Sequence, residues 1–162
     1  MSTVQAVYLE TTIFGYLASR PSRDPLLREH QRVTSIWWEK RRADFELFIS
    51  PLVEDEIGAG DATAAAERQE FTKGIPRLAE TDLVKAIGRE LLRAQIIPAR
   101  VEPDALHIAF AAVHEMDYLL TWNCKHLANA EIFSRVGEVL RRFGTAIPTI
   151  CTPLALMSNL EV

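Results

Sequence analysis

Short apolar runs rich in β-branched and aromatic residues alternate along this chain with longer segments of helical periodicity. The runs cover 4–9, 45–49, 118–122 and 148–152. A fifth run, 75–79, contains Pro76, which cannot donate to a strand ladder, so we expect it at a sheet edge. Strands that alternate with helices fold as a mostly parallel sheet with helices on both faces. We therefore predict an α/β fold, a three-layer α/β/α sandwich with a mostly parallel central sheet.

Polar capping residues and prolines mark the starts of most predicted helices. Glu10-Thr-Thr opens the first, with its hydroxyls as candidate caps, and Asp24-Pro25, Ser50-Pro51, Asp61 and Thr81-Asp82 open the next four. The helical segments are 13–18, 24–42, 50–58, 61–73, 81–92, 104–115 and 130–143. Apolar positions at helical spacing in the fifth of them, Leu83 included, predict that this helix packs on the core.

Length and composition are those of a globular protein and exclude several classes. At 162 residues, 48% hydrophobic and 25% charged, the chain is expected to fold as one domain over 1–162. Its longest apolar stretch, 105–113, is too short to span a bilayer, and the first residues carry no basic segment typical of a secretory signal. Cys124 and Cys151 are too few for a disulfide framework. We expect a cytoplasmic protein with no membrane partner.

Charge is distributed unevenly along the chain. The net charge of −4 argues against a protein that coats nucleic acid by bulk charge. Segment 20–42, however, has seven basic and three acidic residues and so carries +4, which leaves −8 for the remainder. This segment is either a local contact for a phosphate backbone or the solvated face of a helix, and a solvated face is the commoner explanation.

Four polar residues lie where a parallel sheet would place a ligand. Ligands bind beyond the carboxyl ends of parallel strands, and Glu10 and Asn123 follow the first and the 118–122 strands directly. Glu56 and Asp104 lie on helices that could flank the same crevice. Each also has a purely structural explanation, because Glu10 and Asp104 begin helices, Asn123 suits a turn and Glu56 suits an exposed helix face. The joint placement raises the case for a site.

Four motifs carry a family resemblance that spans nearly the whole chain. They are YLETTI (8–13), SPLVEDEI (50–57), DALHIA (104–109) and DYLLTWN (117–123). In this order and on these elements they resemble the PIN-domain family, and within it the VapC-like toxins of type II toxin–antitoxin pairs. The resemblance implies Mg²⁺- or Mn²⁺-dependent ribonuclease activity on RNA, a homodimer, a cognate antitoxin partner, and contact with that partner through the 24–42 region.

Residue by residue, the resemblance places the catalytic and metal-binding site at Glu10, Glu56, Asp104 and Asn123. Thr12 and Thr121 would be neighbouring hydroxyls that orient ligands or a water. The chemistry is consistent, because Mg²⁺ and Mn²⁺ prefer oxygen ligands, and a divalent cation turns a coordinated water into a better nucleophile for in-line attack on a phosphodiester.

Two departures from the family pattern keep another function open. The family has Asp where this chain has Glu10 and Asn123, so the side chain of Glu10 is longer by a methylene and Asn123 is neutral. We expect one metal to bind and a second to bind weakly or only with substrate. The alternative function is a PIN-fold RNA- or protein-binding module with a weakened site. A third interpretation, an α/β domain with scattered acids, predicts that the four positions do not meet.

Two further features allow more than one interpretation. His107 lies one turn after Asp104, either as a satisfied core histidine or as a contact of the site. Trp37 and Trp38 point about 100° apart on a helix, which predicts one core residue and one surface residue that could anchor a partner. Cys124 and His126 lack the further ligands that a zinc site requires.

Overall fold

A four-stranded parallel sheet lies at the centre of the protein. The computed structural model describes residues 3–158. The strands are β1 (Gln5–Leu9), β2 (Phe45–Phe48), β3 (Tyr118–Leu120) and β4 (Thr149–Cys151). Their order across the sheet is β2-β1-β3-β4, and every neighbouring pair is parallel. With helices on the faces of this sheet, the predicted α/β/α sandwich is confirmed.

Seven α-helices in the described part of the chain connect and cover the strands. They are α1 (Thr11–Ala18), α2 (Pro25–Lys40), α3 (Pro51–Ile57), α4 (Ala62–Glu70), α5 (Asp82–Arg93), α6 (Glu102–Val113) and α7 (Ala130–Arg142). The predicted side-chain caps of four of them are present, since each accepts a hydrogen bond from a first-turn N–H: Asp24, Ser50, Asp61 and Thr81. None of the helices within 3–158 has both the length and the apolarity needed to cross a bilayer.

The helices pack in two groups. Helix α1 contacts α2, α3 and α4, whereas α5 packs on α6 and α7. Helix α6 is buried over most of its length, including Ala105 and Phe110, which explains its nearly continuous apolar sequence. Close approach of α5 to α6 depends on Gly88, because a Cβ there would lie 2.8 Å from Cδ2 of Leu106.

Three predictions about apolar residues are wrong. Segment 75–79 is not a strand, since it meets the sheet through one isolated bridge, between Ile49 and Arg77. Trp38 is buried like Trp37: its ring packs edge-on against Phe71 at 5.7 Å, and the Arg42 guanidinium covers it at 4.7 Å. The prediction of one surface tryptophan therefore fails.

The third concerns the apolar face of α5. Leu83 was expected to share that face with the core residues Val84 and Ile87. It is instead 38% exposed, because it points about 100° away from its neighbour Val84 around the helix, whereas Val84 and Ile87 are fully buried. The helical periodicity identified the buried face but extended it one residue too far.

Candidate active site

The crevice between β1 and β3 is where the chain connections diverge. From β1 the chain continues to β2 on one side, and from β3 to β4 on the other. Such a divergence is the usual ligand site of an open parallel sheet. Glu10 follows the last residue of β1 at this edge, and its N–H donates to the carbonyl of Leu120 at 3.0 Å. Residues 121–123 continue from β3 beside it, so Glu10 and Asn123 border the same crevice.

Hydroxyl groups hold the carboxylate of Glu10. Its Oε2 accepts hydrogen bonds from Oγ1 of Thr12 at 2.5 Å and Oγ1 of Thr121 at 2.7 Å. The same oxygen accepts from the Thr12 N–H at 3.2 Å, so Glu10 itself caps α1, where the sequence had suggested the threonine hydroxyls. Glu10 is only 4% exposed. Both threonines therefore orient this carboxylate.

Glu56 is fixed by a second set of donors. Its Oε1 accepts from Oγ1 of Thr11 at 2.8 Å and contacts Nε2 of His107 at 2.6 Å. Burial alone would raise the pKa of Glu56, but the hydrogen bond and charge of His107, together with the Thr11 hydroxyl, outweigh it and lower that pKa. Glu56 is thus held as a carboxylate at the site.

A buried chain of hydrogen bonds stands behind Glu56. His107 is 1% exposed, and its Nδ1 lies 2.7 Å from the Tyr8 hydroxyl, which lies 2.8 Å from Oγ of Ser50. Since Ser50 Oγ accepts from the Val53 N–H, it can donate to Tyr8, Tyr8 to Nδ1, and Nε2–H to the carboxylate. Each polar atom of this chain of side chains then has a hydrogen-bond partner. Burial raises the pKa of Tyr8 well above its ordinary value, so the phenol keeps its proton.

Asp104 and Asn123 form the other side of the site. Burial raises the pKa of Asp104, and the nearby charge of Glu56 raises it further. The side chain of Asn123 and the charges of His107 and His126 lower it, but not enough to cancel the rise. Asn123 also caps a turn, since its Oδ1 accepts from the His126 N–H at 3.0 Å. The turn role expected of Asn123 is therefore present.

Two hydrogen-bonded sets hold the site residues. Thr121 links Glu10 to the Asn123 N–H, at 2.9 Å from its hydroxyl, while Thr11 and His107 hold Glu56. The charges of Asp104 and Glu56 are close enough to interact. The acids therefore lie near one another at this edge of the sheet. Sequence analysis missed Tyr8 and Ser50 as parts of the set behind Glu56, and their places in an apolar strand and a helix cap gave no signal of it.

The donor atoms suit a hard cation that keeps some of its water. Among residues 3–158, no three His, Cys, Asp or Glu side chains stand ready as a metal site. Mg²⁺, however, usually takes one or two carboxylates, several waters and a substrate phosphate. The described residues give no hydrogen bond to Oε1 of Glu10 or Oε2 of Glu56, and neither is a buried unpartnered atom. Each glutamate is anchored through one oxygen and keeps the other for a ligand.

Comparisons with known proteins assign no family. No protein-family model matches the chain, and no curated protein matches it. The resemblance to PIN domains stays a prediction that depends on the four motifs.

We expect the stability contribution of Glu56 to depend on pH. Because its pKa is lower in the folded than in the unfolded chain, its contribution is complete above about pH 4.5 and fades as the pH falls. Glu56→Gln should therefore be less stable than wild type at neutral pH, and the difference should shrink in acid. Urea denaturation across this range measures it. Asp55→Asn, at the exposed neighbouring position, should show no such trend. A stability difference between wild type and Glu56→Gln that grows in acid would contradict the lowered pKa of Glu56.

Proposed function

We propose that the protein is a Mg²⁺- or Mn²⁺-dependent endoribonuclease that hydrolyses RNA phosphodiesters with water. The observation that carries the proposal is the pair of anchored glutamates, Glu10 and Glu56, at the diverging edge of the sheet. Asp104, half-buried beside the charge of Glu56, completes the acidic set. Acidic groups gathered in partly buried positions repel one another, and a divalent cation relieves that repulsion.

Each residue has a distinct role in this proposal. Glu56 and Asp104 would hold the cation, together with Oε1 of Glu10 and the second lone pair of Oδ1 of Asn123. Bound there, a divalent cation would supply an activated water and reduce the charge on the phosphoryl oxygens. Thr12 and Thr121 hold Glu10 in place before substrate arrives, so the side chain of Glu10 loses little conformational freedom when a ligand binds.

The proposed reaction makes a bond between the water oxygen and phosphorus and breaks the bond from phosphorus to the leaving sugar oxygen. The neighbouring 2′-hydroxyl takes no part in it. A labelled single-stranded RNA with Mn²⁺, and with a chelator as control, is the direct assay. A 2′-deoxy substitution at the cleaved nucleotide should leave the cut in place, and its loss would identify the 2′-hydroxyl as the nucleophile and contradict hydrolysis by water.

A binding module is the second candidate, favoured by the neutral Asn123 and by the three hydrogen bonds already made to Oε2 of Glu10. Such a module would bind RNA or a protein without a metal. Calorimetric titration with Mn²⁺ separates the two functions, because the nuclease must bind the ion and the module need not.

We expect Asn123→Asp to change metal affinity and metal-free stability in opposite directions. An extra carboxylate beside Asp104 adds repulsion without metal and a charged ligand with it. Mn²⁺ affinity should rise about tenfold in calorimetry, while the melting temperature without metal falls. Unchanged affinity would mean that Asn123 does not contact the ion. Asn129→Asp, at the cap of α7, is the matched control and should not alter Mn²⁺ affinity.

A toxin role, a cognate antitoxin and a homodimer stay predictions from the sequence resemblance. Growth of cells that express the wild-type chain, compared with cells that express a variant without nuclease activity, tests the toxin role. Sedimentation of the purified chain tests the dimer.

A further inference from the structure

Three aromatic rings lie together beside the proposed catalytic residues. Trp122 directly precedes Asn123, and its indole stacks on the His30 imidazole with ring centroids 4.1 Å apart and planes within 15°. The Tyr16 ring lies 5.8 Å from Trp122 and 6.4 Å from His30, again at low interplanar angles. Helices α1 and α2 thus each contribute a ring to a stack that begins at the end of β3.

Tyr16 and His30 are the more accessible rings of this cluster. Trp122 is 9% exposed, whereas Tyr16 and His30 are only partly buried. The planes of Tyr16 and His30 lie within 17° of each other. These two rings are therefore the part of the cluster that a ligand can reach, and we name this pair the aromatic platform.

The aromatic platform is tied to the catalytic residues. Trp122 is fixed through its Nε1, which donates to Oγ1 of Thr34 at 2.7 Å, and through its N–H, which donates to Oγ1 of Thr12 at 2.9 Å. The same Thr12 hydroxyl binds Glu10. Burial chiefly raises the pKa of Tyr16, and the charge of Glu10 makes a smaller contribution in the same direction. The aromatic platform is therefore joined to Glu10 through Trp122 and Thr12.

Basic side chains border the aromatic platform. A cavity of about 330 Å³ extends from Tyr16 and is lined by the apolar Leu17 and Pro21 and by Arg28 and Arg32. Glu29 pairs with Arg32 at 2.6 Å, but no ion pair engages Arg28 within the described residues. An apolar, aromatic surface bordered by positive charge suits a base with its phosphate.

We propose that the aromatic platform stacks one unpaired base of single-stranded RNA next to the cleaved phosphate, and that Arg28 contacts a neighbouring phosphate. This inference rests on the proposed ribonuclease function and names how that site takes its substrate. Aromatic rings stack on any base, but a base within a duplex offers no free face, so the platform selects single strands. It also gives the positive segment 20–42 a role in an otherwise acidic chain.

The test measures stacking directly and without cleavage. A short single-stranded RNA that contains 2-aminopurine is titrated with protein in the presence of a chelator, and its fluorescence should be quenched on binding. Tyr16→Ala should weaken binding roughly 5- to 150-fold and remove the quenching, as expected for loss of one stacked base. Tyr16→Phe should bind within about 2-fold of wild type because the ring remains. Arg28→Ala should lower the slope of log affinity against log salt concentration by about one, as expected for the loss of one phosphate contact.

Matched variants control for effects on folding. Tyr118→Ala removes a partly buried tyrosine at the other end of β3, and His114→Ala removes a partly buried imidazole at the end of α6. Neither control should change the quenching. If Tyr16→Ala fails to fold by circular dichroism, Tyr16→Phe compared with Tyr16→Leu, which keeps bulk without a ring, decides the point. Equal binding of Tyr16→Leu and wild type would overturn the proposal, as would equal affinity for duplex RNA.

Failure of the platform and failure of the nuclease give different results. Metal-dependent cleavage whose KM is unchanged by Tyr16→Leu would overturn the platform and leave the nuclease in place. Quenching of the 2-aminopurine fluorescence, with no cleavage of RNA by the protein in Mg²⁺ or Mn²⁺, would support the aromatic platform and overturn the proposed nuclease function. Oligonucleotide binding that is unchanged by Tyr16→Leu would mean that RNA binds elsewhere on the protein, and that result also overturns the proposal.

Discussion

Asp104→Asn should cleave RNA at least about 10³-fold more slowly than wild type with saturating Mn²⁺. Removal of one charged ligand weakens both the hold on the cation and the activation of water, and each tenfold loss corresponds to about 1.4 kcal/mol of the several kcal/mol that a metal supplies. The substitution should also stabilise the metal-free protein, because the pKa of Asp104 is raised and its charge is therefore unfavourable in the fold. A variant that is more stable and less active is the signature of a functional carboxylate.

Glu102→Gln is the matched control for this experiment. Glu102 lies in the same first turn of α6, is exposed, and should retain wild-type activity when neutralised. Thermal melting with and without Mn²⁺ adds a second readout, since ligand at about 100 times its Kd stabilises by about 2.7 kcal/mol. The metal-induced rise in Tm should be lost in Asp104→Asn and kept in Glu102→Gln. Equal activity of wild type and Asp104→Asn would end the nuclease proposal.

Local signals account for what the sequence predicted well. Helix caps are visible in the sequence because each accepts a hydrogen bond from an N–H only three residues further on, as at Ser50, Asp61 and Thr81. The strand order was not predicted, but the edge at which Glu10 and Asn123 meet follows from one rule about the ends of parallel strands. Short-range chemistry with a single topological rule was enough to find the acidic edge.

Long-range packing accounts for what the sequence did not predict. Trp38 is buried because Phe71, which follows the end of α4, and Arg42 cover it. The helical periodicity of α2 contains no information about either contact. The Tyr8 hydroxyl meets His107 from 99 positions away. The adjacent rings of Tyr16 and His30 depend in the same way on how α1 and α2 pack. Networks of this kind appear only in the folded chain.

The carboxylate of Glu10 has two roles. It accepts from the Thr12 N–H and so caps its own helix, and it also binds the Thr121 hydroxyl beyond β3. Glu10 therefore serves the fold and the proposed site at once. That double role explains why its structural and functional interpretations could not be separated in the sequence.

The largest stability loss is expected on removal of the buried imidazole at the centre of the site. His107→Ala should lower the free energy of unfolding by about 2–4 kcal/mol and Tm by roughly 5–10 °C, because it leaves a cavity and removes the hydrogen-bond partner of Tyr8. Tyr8→Phe should cost about 1–3 kcal/mol, since Nδ1 of His107 and Oγ of Ser50 both lose a partner. Urea denaturation measures both costs.

A double-mutant cycle separates the hydrogen-bonded chain from ordinary packing. In the His107→Ala background the Tyr8 hydroxyl has already lost one partner, so Tyr8→Phe should cost about 1 kcal/mol less than in wild type. His114→Ala, which removes a partly buried imidazole that donates only to the carbonyl of Ala79, should cost less than about 1 kcal/mol. Additive costs for Tyr8 and His107 would mean that the two side chains pack together without a coupled hydrogen bond. Coupling would instead show that Glu56 is positioned by a chain of side chains that runs back through His107 to Ser50.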